Sequence, residues 1–144
     1  MKKLLLCSFL ALFYVCTIYA QENTLYLSFQ PTDLGVGLRY DKQFDYRGVY
    51  ASLSYGNYKF LEGYIRNHLK LSLGGIVYRD NSFITFGVAG HNYGDRKIPD
   101  NMDTRTFKRF SYELGTGVMF DNMNVAFRMD IFKWESSIDV GIKF

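Results

Sequence analysis

Ser137-Ile138-Asp139-Val140-Gly141-Ile142-Lys143-Phe144 alternates without a break: Ile138, Val140, Ile142 and Phe144 are apolar, and the residues between them are small or charged. Successive side chains of a β-strand point to opposite sides, so this segment is a strand with two chemically different faces. A helix needs apolar positions both three and four apart, and the segment has none three apart. The same rhythm runs backward through the chain. Val125, Phe127, Met129 and Ile131 alternate with Ala126, Arg128 and Asp130; Phe110, Tyr112, Leu114, Thr116, Val118 and Phe120 alternate with Ser111, Glu113, Gly115, Gly117 and Met119. Further upstream, Ile84–Val88, Leu69–Leu73, Val49–Tyr55, Leu34–Tyr40 and Leu25–Phe29 each repeat it. Eight strands result, the first running from Thr24 to Gln30.

The connections fit hairpins. Pro31 and Pro99, the only prolines, fall between strands, where a missing N–H harms no ladder. Arg79-Asp80-Asn81-Ser82 and Asp121-Asn122-Met123 are short turn clusters. The longest break, Asn92 to Thr106, follows the fifth strand.

At 144 residues one domain is expected, and 48% hydrophobic content is too apolar for a disordered chain. The first twenty residues read as a cleaved secretory signal: Met1-Lys2-Lys3 is basic, Leu4 to Ala20 is uncharged and apolar, and Gln21 begins the polar mature chain. The barrel domain is then 21–144. Removing 1–20 takes Lys2, Lys3, Cys7 and Cys16, leaving 15 bases, 14 acids and no thiol. That excludes disulfides, thiol catalysis and cysteine-ligated metals, and near-neutral charge argues against a nucleic-acid partner. No later run is apolar enough for a membrane helix.

The less apolar face is unusually small: Gly35, Gly37, Ser52, Ser54, Gly74, Gly87, Ala89, Gly115, Gly117, Ala126 and Gly141. A water-facing sheet seldom uses so many glycines, whereas the narrow lumen of an eight-stranded barrel has room for little else. The large apolar face is then the outer one, and it meets lipid. The fold expected is all-β: an eight-stranded antiparallel up-and-down transmembrane β-barrel. The rival is a soluble periplasmic barrel carrying an apolar ligand.

Eight alternating strands, a leader and a terminal aromatic resemble the small outer-membrane barrels of Gram-negative bacteria, of the OmpX and OmpA-barrel type. The resemblance is architectural and covers the mature chain. It implies export to the outer membrane, contact with lipid and lipopolysaccharide, and a terminal signal at Ile138, Val140, Ile142 and Phe144 read by the barrel assembly machinery. With the N-terminus in the periplasm, the breaks after strands two, four and six face inward and the longest faces outside. The first strand, at Thr24–Gln30, is shorter than the nine to eleven residues of a spanning strand, so it either extends into Pro31-Thr32-Asp33 or forms a hairpin that barely clears the membrane.

By alternation Arg39, His68, Lys70, Glu113, Arg128, Asp130, Asp139 and Lys143 point into the lumen, where buried charges need partners. Closing the last hairpin at Ile131 and Ser136 sets Arg128 opposite Asp139; closing another at Tyr78 and Phe83 sets Lys70 opposite His91. The network is read as a plug that stiffens the barrel rather than as an ion path.

His91 ends a strand beside the longest break, the place a histidine takes in outer-membrane lipid A hydrolases. As a base it would need a hydroxyl and an acid, for which Ser54, Ser72 and Asp95 are the candidates. His91-Asn92-Tyr93 lacks the His-x-Ser spacing of the deacylases, so catalysis is the alternative and a rim histidine the preferred reading. Two histidines without supporting carboxylate spacing suggest no metal site, and no cofactor is expected. Asp95, Arg96, Lys97, Asp100, Asp103 and Arg105 in the long break form the candidate binding surface for an extracellular ligand, because binding residues concentrate on loops held by a rigid scaffold. Trp134 beside Lys133 reads as an interfacial anchor.

Overall fold

A computed structural model describes residues 22–32, 34–57, 67–93 and 109–144. Residues 1–20, which the sequence reading takes as a leader cleaved after Ala20, lie outside these residues. Eight strands follow one another in order: β1 Glu22–Gln30, β2 Gly35–Phe44, β3 Arg47–Asn57, β4 Asn67–Arg79, β5 Ser82–Tyr93, β6 Phe110–Met119, β7 Met123–Asp130 and β8 Ser136–Lys143. Each pairs antiparallel with its neighbour, and β8 returns to β1 from Thr24↔Lys143 to Phe29↔Ile138, so the sheet is a closed barrel. Closure leaves no edge strand with unpaired N–H and C=O groups.

The barrel has two unlike ends. One carries the tight connections Asp45-Tyr46, Asp80-Asn81 and Asp121-Asn122, together with the ends of β1 and β8. Asp45 and Asp80 hold left-handed conformations (φ 56° and 51°) at the first central position of two-residue turns, which Asp tolerates and which matches the twist of the flanking strands. The other end carries the longer connections, including those that leave β3 and β5.

β1 reaches nine residues by growing backward to Glu22 and ends at Gln30, before Pro31. Asn23 pairs with Lys42 and exchanges backbone hydrogen bonds with Phe144 (N to O 3.3 Å and 2.9 Å). The last hairpin also differs from the sequence arithmetic. It closes at Asp130 and Glu135 (Asp130 N–H to Glu135 O, 2.8 Å) around the four residues 131–134, with Trp134 left-handed at φ 56°. Asp130 Oδ1 accepts from the N–H groups of Phe132 and Lys133 and so fixes the turn. Arg128 consequently faces Ser137 rather than Asp139, a slip of two residues that leaves each side chain on its own face. The β4–β5 register pairs Tyr78 with Phe83 and Lys70 with His91.

The two faces invert the polarity of a water-soluble fold. Leu27 is 65% exposed and Ile84 61%, whereas Arg39, Asp130 and Asp139 are fully buried. Among the described residues no outward strand position carries an acid, and the three outward bases, Lys42, Arg47 and Arg79, lie toward the turn end. Outward aromatics gather at both rims: Phe44, Tyr46, Phe120 and Phe144 at the turn end, and Phe29, Tyr55, Phe110, Tyr112, Phe132 and Trp134 at the loop end.

The inward glycines give the lumen its contents. A Cβ at Gly117 would run into the ring of Phe83, one at Gly87 into the Tyr50 hydroxyl, and one at Gly141 into Tyr26. Bulk supplied from one strand is thus received by a missing side chain on another, which is how so narrow a barrel fills at native density.

Candidate functional site

The lumen is stacked in three tiers. Nearest the turn end, Tyr26, Tyr50, Ile76, Tyr78, Phe83 and Ala126 form an apolar cluster, with Met119 packed against it. Tyr26 still satisfies its hydroxyl, which accepts from Asn124 Nδ2 at 3.2 Å.

The middle tier is ionic. Arg39 donates through Nε and Nη2 to the two oxygens of Asp41 (2.6 and 2.7 Å) and through Nη1 to Asp139 Oδ2 (3.0 Å). Its guanidinium lies between the rings of Tyr26 and Tyr50, at 4.8 and 4.7 Å from their centroids, so the apolar tier solvates one charge of the ionic one. Arg128 donates to both oxygens of Asp139 (2.6 and 3.2 Å), to Glu113 Oε2 (3.2 Å) and to Ser52 Oγ (3.0 Å). Lys70 Nζ reaches Glu113 Oε1 at 2.6 Å, and the Tyr50 hydroxyl donates to Glu113 Oε2 at 3.2 Å. Three bases therefore meet three acids, all buried. Arg128 and Asp139 pair diagonally across β7 and β8 although they are not opposite in register, because a long side chain spans the diagonal.

The third tier lies toward the loop end. His68 Nε2 and His91 Nδ1 are 2.9 Å apart with the rings within 11° of parallel. His91 Nε2 is 2.6 Å from Ser111 Oγ, and the Ser111 hydroxyl donates to Asp130 Oδ2. The serine has one proton and Asp130 receives it, so His91 Nε2 must be the donor to Ser111 and His91 Nδ1 the acceptor from His68. Lys133 and Glu135, from the last connection, are buried in the same tier. Gln30 Nε2 donates to Ser54 Oγ at 2.7 Å on the opposite wall.

Arg39, His68, Lys70, Glu113, Arg128, Asp130 and Asp139 all stand in the middle or upper tier. Lys143 sits apart at the turn-end mouth, 3.0 Å from Glu22, partly exposed. Ile138, Val140, Ile142 and Phe144 face outward and are exposed. Asp95, Arg96, Lys97, Asp100, Asp103 and Arg105 lie outside the described residues. Asp41, Ser111 and Glu135 are members that the sequence reading did not single out. Asp41 follows from carrying the Arg39 alternation two residues further, and Glu135 from carrying the Ser137–Asp139 alternation two residues back.

Among the described residues the two His91 ring nitrogens meet Ser111 and His68 rather than Ser54 or Ser72, and Asp95 lies outside the described residues. The serine, histidine and acid do converge, but Asp130 stands 3.3 Å from Nε2, the nitrogen that faces the serine, instead of behind the ring. A relay needs the base nitrogen free to take the serine proton and the acid on the other nitrogen. Here the serine hydroxyl donates to Asp130 instead of to His91, and the second nitrogen accepts from His68. Comparison with protein-family models and with curated proteins returned no match.

Proposed function

We propose that this chain is an outer-membrane β-barrel protein with a structural or surface-binding role, exported by a leader removed after Ala20, with its lumen closed and its loop end as the interaction surface. The observation that carries the reading is the inverted polarity: an apolar outer face bounded by aromatics around a lumen of buried ion pairs. In water such an outer face would aggregate, whereas in a bilayer it is the solvent-matched side, and strands of 8 to 13 residues bracket the length of a tilted spanning strand. Outer-membrane lipid and lipopolysaccharide are then the immediate surroundings, and Ile138, Val140, Ile142 and Phe144 are the strand read by the assembly machinery. The long connection with Asp95, Arg96, Lys97, Asp100, Asp103 and Arg105 faces outside, where an extracellular ligand would bind.

The soluble ligand-carrying alternative requires an apolar guest in the lumen. That guest would have to displace the six-charge middle tier, leaving several buried charges unpaired. The test is an unheated against boiled gel of the washed membrane fraction, with the mature N-terminus read by mass spectrometry. A band that shifts on boiling and a chain starting at Gln21 are expected. Recovery in the osmotic-shock fraction with no heat-dependent shift refutes the reading.

A further inference from the structure

We propose that the loop-end tier of the lumen is a binding site for a divalent first-row cation of the zinc class, held by His68, His91 and Glu135. One donor atom from each residue lies within 4.8 Å of the other two, and all three residues are buried. The inference stands on the barrel's own geometry and holds in any compartment.

Four observations support it. The first is distance: His68 Nε2 and His91 Nδ1 are already 2.9 Å apart, and ligands of a tetrahedral zinc stand about 3.3 Å from one another. The rings meet nearly end to end (centroids 5.1 Å), so the cation takes the place of the proton between them once the nitrogens widen by a few tenths of an ångström and each ring pivots to aim its lone pair at a common point. His68 stays neutral in that exchange by carrying its proton on Nδ1 instead. The second is orientation. His91 turns Nδ1 toward His68 while its Nε2 donates to Ser111, which is anchored in turn on Asp130. A ligand histidine whose far nitrogen is tied to a hydroxyl and a carboxylate has its tautomer and ring angle set in advance. The third is charge. With the histidines neutral, the described residues Lys133, Asp130 and Glu135 sum to one negative charge in this tier, and Lys70 lies nearer Glu113 (2.6 Å) than Glu135 (3.9 Å). The fourth is ligand type: two imidazoles and one carboxylate select zinc, nickel or copper over calcium and magnesium, which prefer all-oxygen sites. A fourth position remains for water.

The experiment uses the full barrel folded in detergent micelles and titrated with Zn²⁺ by calorimetry. One equivalent should bind, and His68→Gln and Glu135→Gln should each weaken it at least tenfold. Asp130→Asn keeps all three ligands and should weaken binding by about 10- to 100-fold, the usual cost of losing an outer-shell partner. Folding of each variant is checked by its heat-dependent gel shift. Should a variant fail to fold, imidazole ¹H–¹⁵N spectra of the unmodified protein decide: Zn²⁺ should move His68 Nε2 and His91 Nδ1. No stoichiometric binding, equal affinity in the folded variants, or shifts confined to other nitrogens would overturn the proposal.

Discussion

Replacing Asp139 with Asn removes the one carboxylate that touches both lumen arginines. Arg39 keeps its two-pronged contact with Asp41 at 2.6 and 2.7 Å and its place between Tyr26 and Tyr50. Arg128 loses more. Of its 2.6 and 3.2 Å bonds to Asp139 one loses its acceptor and the other falls to a neutral amide contact, so its remaining anionic partner is Glu113 at 3.2 Å, with Ser52 at 3.0 Å. Breaking a buried pair by deleting one partner costs about 3–5 kcal/mol, because a desolvated charge is left behind. The surviving Glu113 contact places Asp139→Asn near the lower end, about 3 kcal/mol. The assay is urea unfolding of the barrel in phospholipid vesicles, followed by fluorescence of Trp134, the only tryptophan. Adding Arg128→Met removes the stranded guanidinium and should recover at least about 1 kcal/mol of the loss, since residues in one network are strongly non-additive. A cost for Asp139→Asn below about 1 kcal/mol, or a double variant no better than the single one, would mean that water reaches the tier and screens it.

Two further outcomes follow from how the lumen is filled. Gly117→Ala drives a methyl into the Phe83 ring and should destabilise by about 1–3 kcal/mol, while Gly90→Ala, whose Cβ would meet Phe110 Cε1 at 3.8 Å, should be neutral in the same unfolding assay. In planar bilayers the protein should show no step conductance, because an apolar tier and an ionic tier both cross the lumen; steady open-channel currents would contradict a plugged barrel.

Much of this molecule is legible in its sequence, and the limits have physical causes. Alternation alone assigns inside and outside, because the side-chain period of a strand is two: Gly115 and Gly117 share parity with Glu113 in β6, and Ser72 and Gly74 with Lys70 in β4. Register is legible only where a turn has its minimum length: Asp80-Asn81 closes the β4–β5 hairpin and sets Lys70 against His91. Around Trp134 the four-residue turn sits one residue earlier than closure at Ile131 and Ser136 places it, which slips the last pairing by two, and residue types alone do not choose between the two placements. The backward extension of β1 depends on what β2 and β8 offer beyond it. The meeting of His91 with Ser111 and Asp130 runs along diagonals of three strands, so it depends on the stagger between neighbours. Ser111 stands directly opposite Ala89 in register, and Asp130 opposite Glu113, and neither pairing suggests the cluster.

The central claim is that the outer face meets hydrocarbon, and one substitution addresses it directly. Leu73 is the middle residue of β4 and is 54% exposed on the outer face. Leu73→Arg should cost about 2–4 kcal/mol of folding free energy in phospholipid vesicles, while Asn92→Arg, at the loop-end rim, should cost about 0–1 kcal/mol. Equal, near-zero costs at both positions, with the protein folding in plain buffer, would contradict the account and return this face to water.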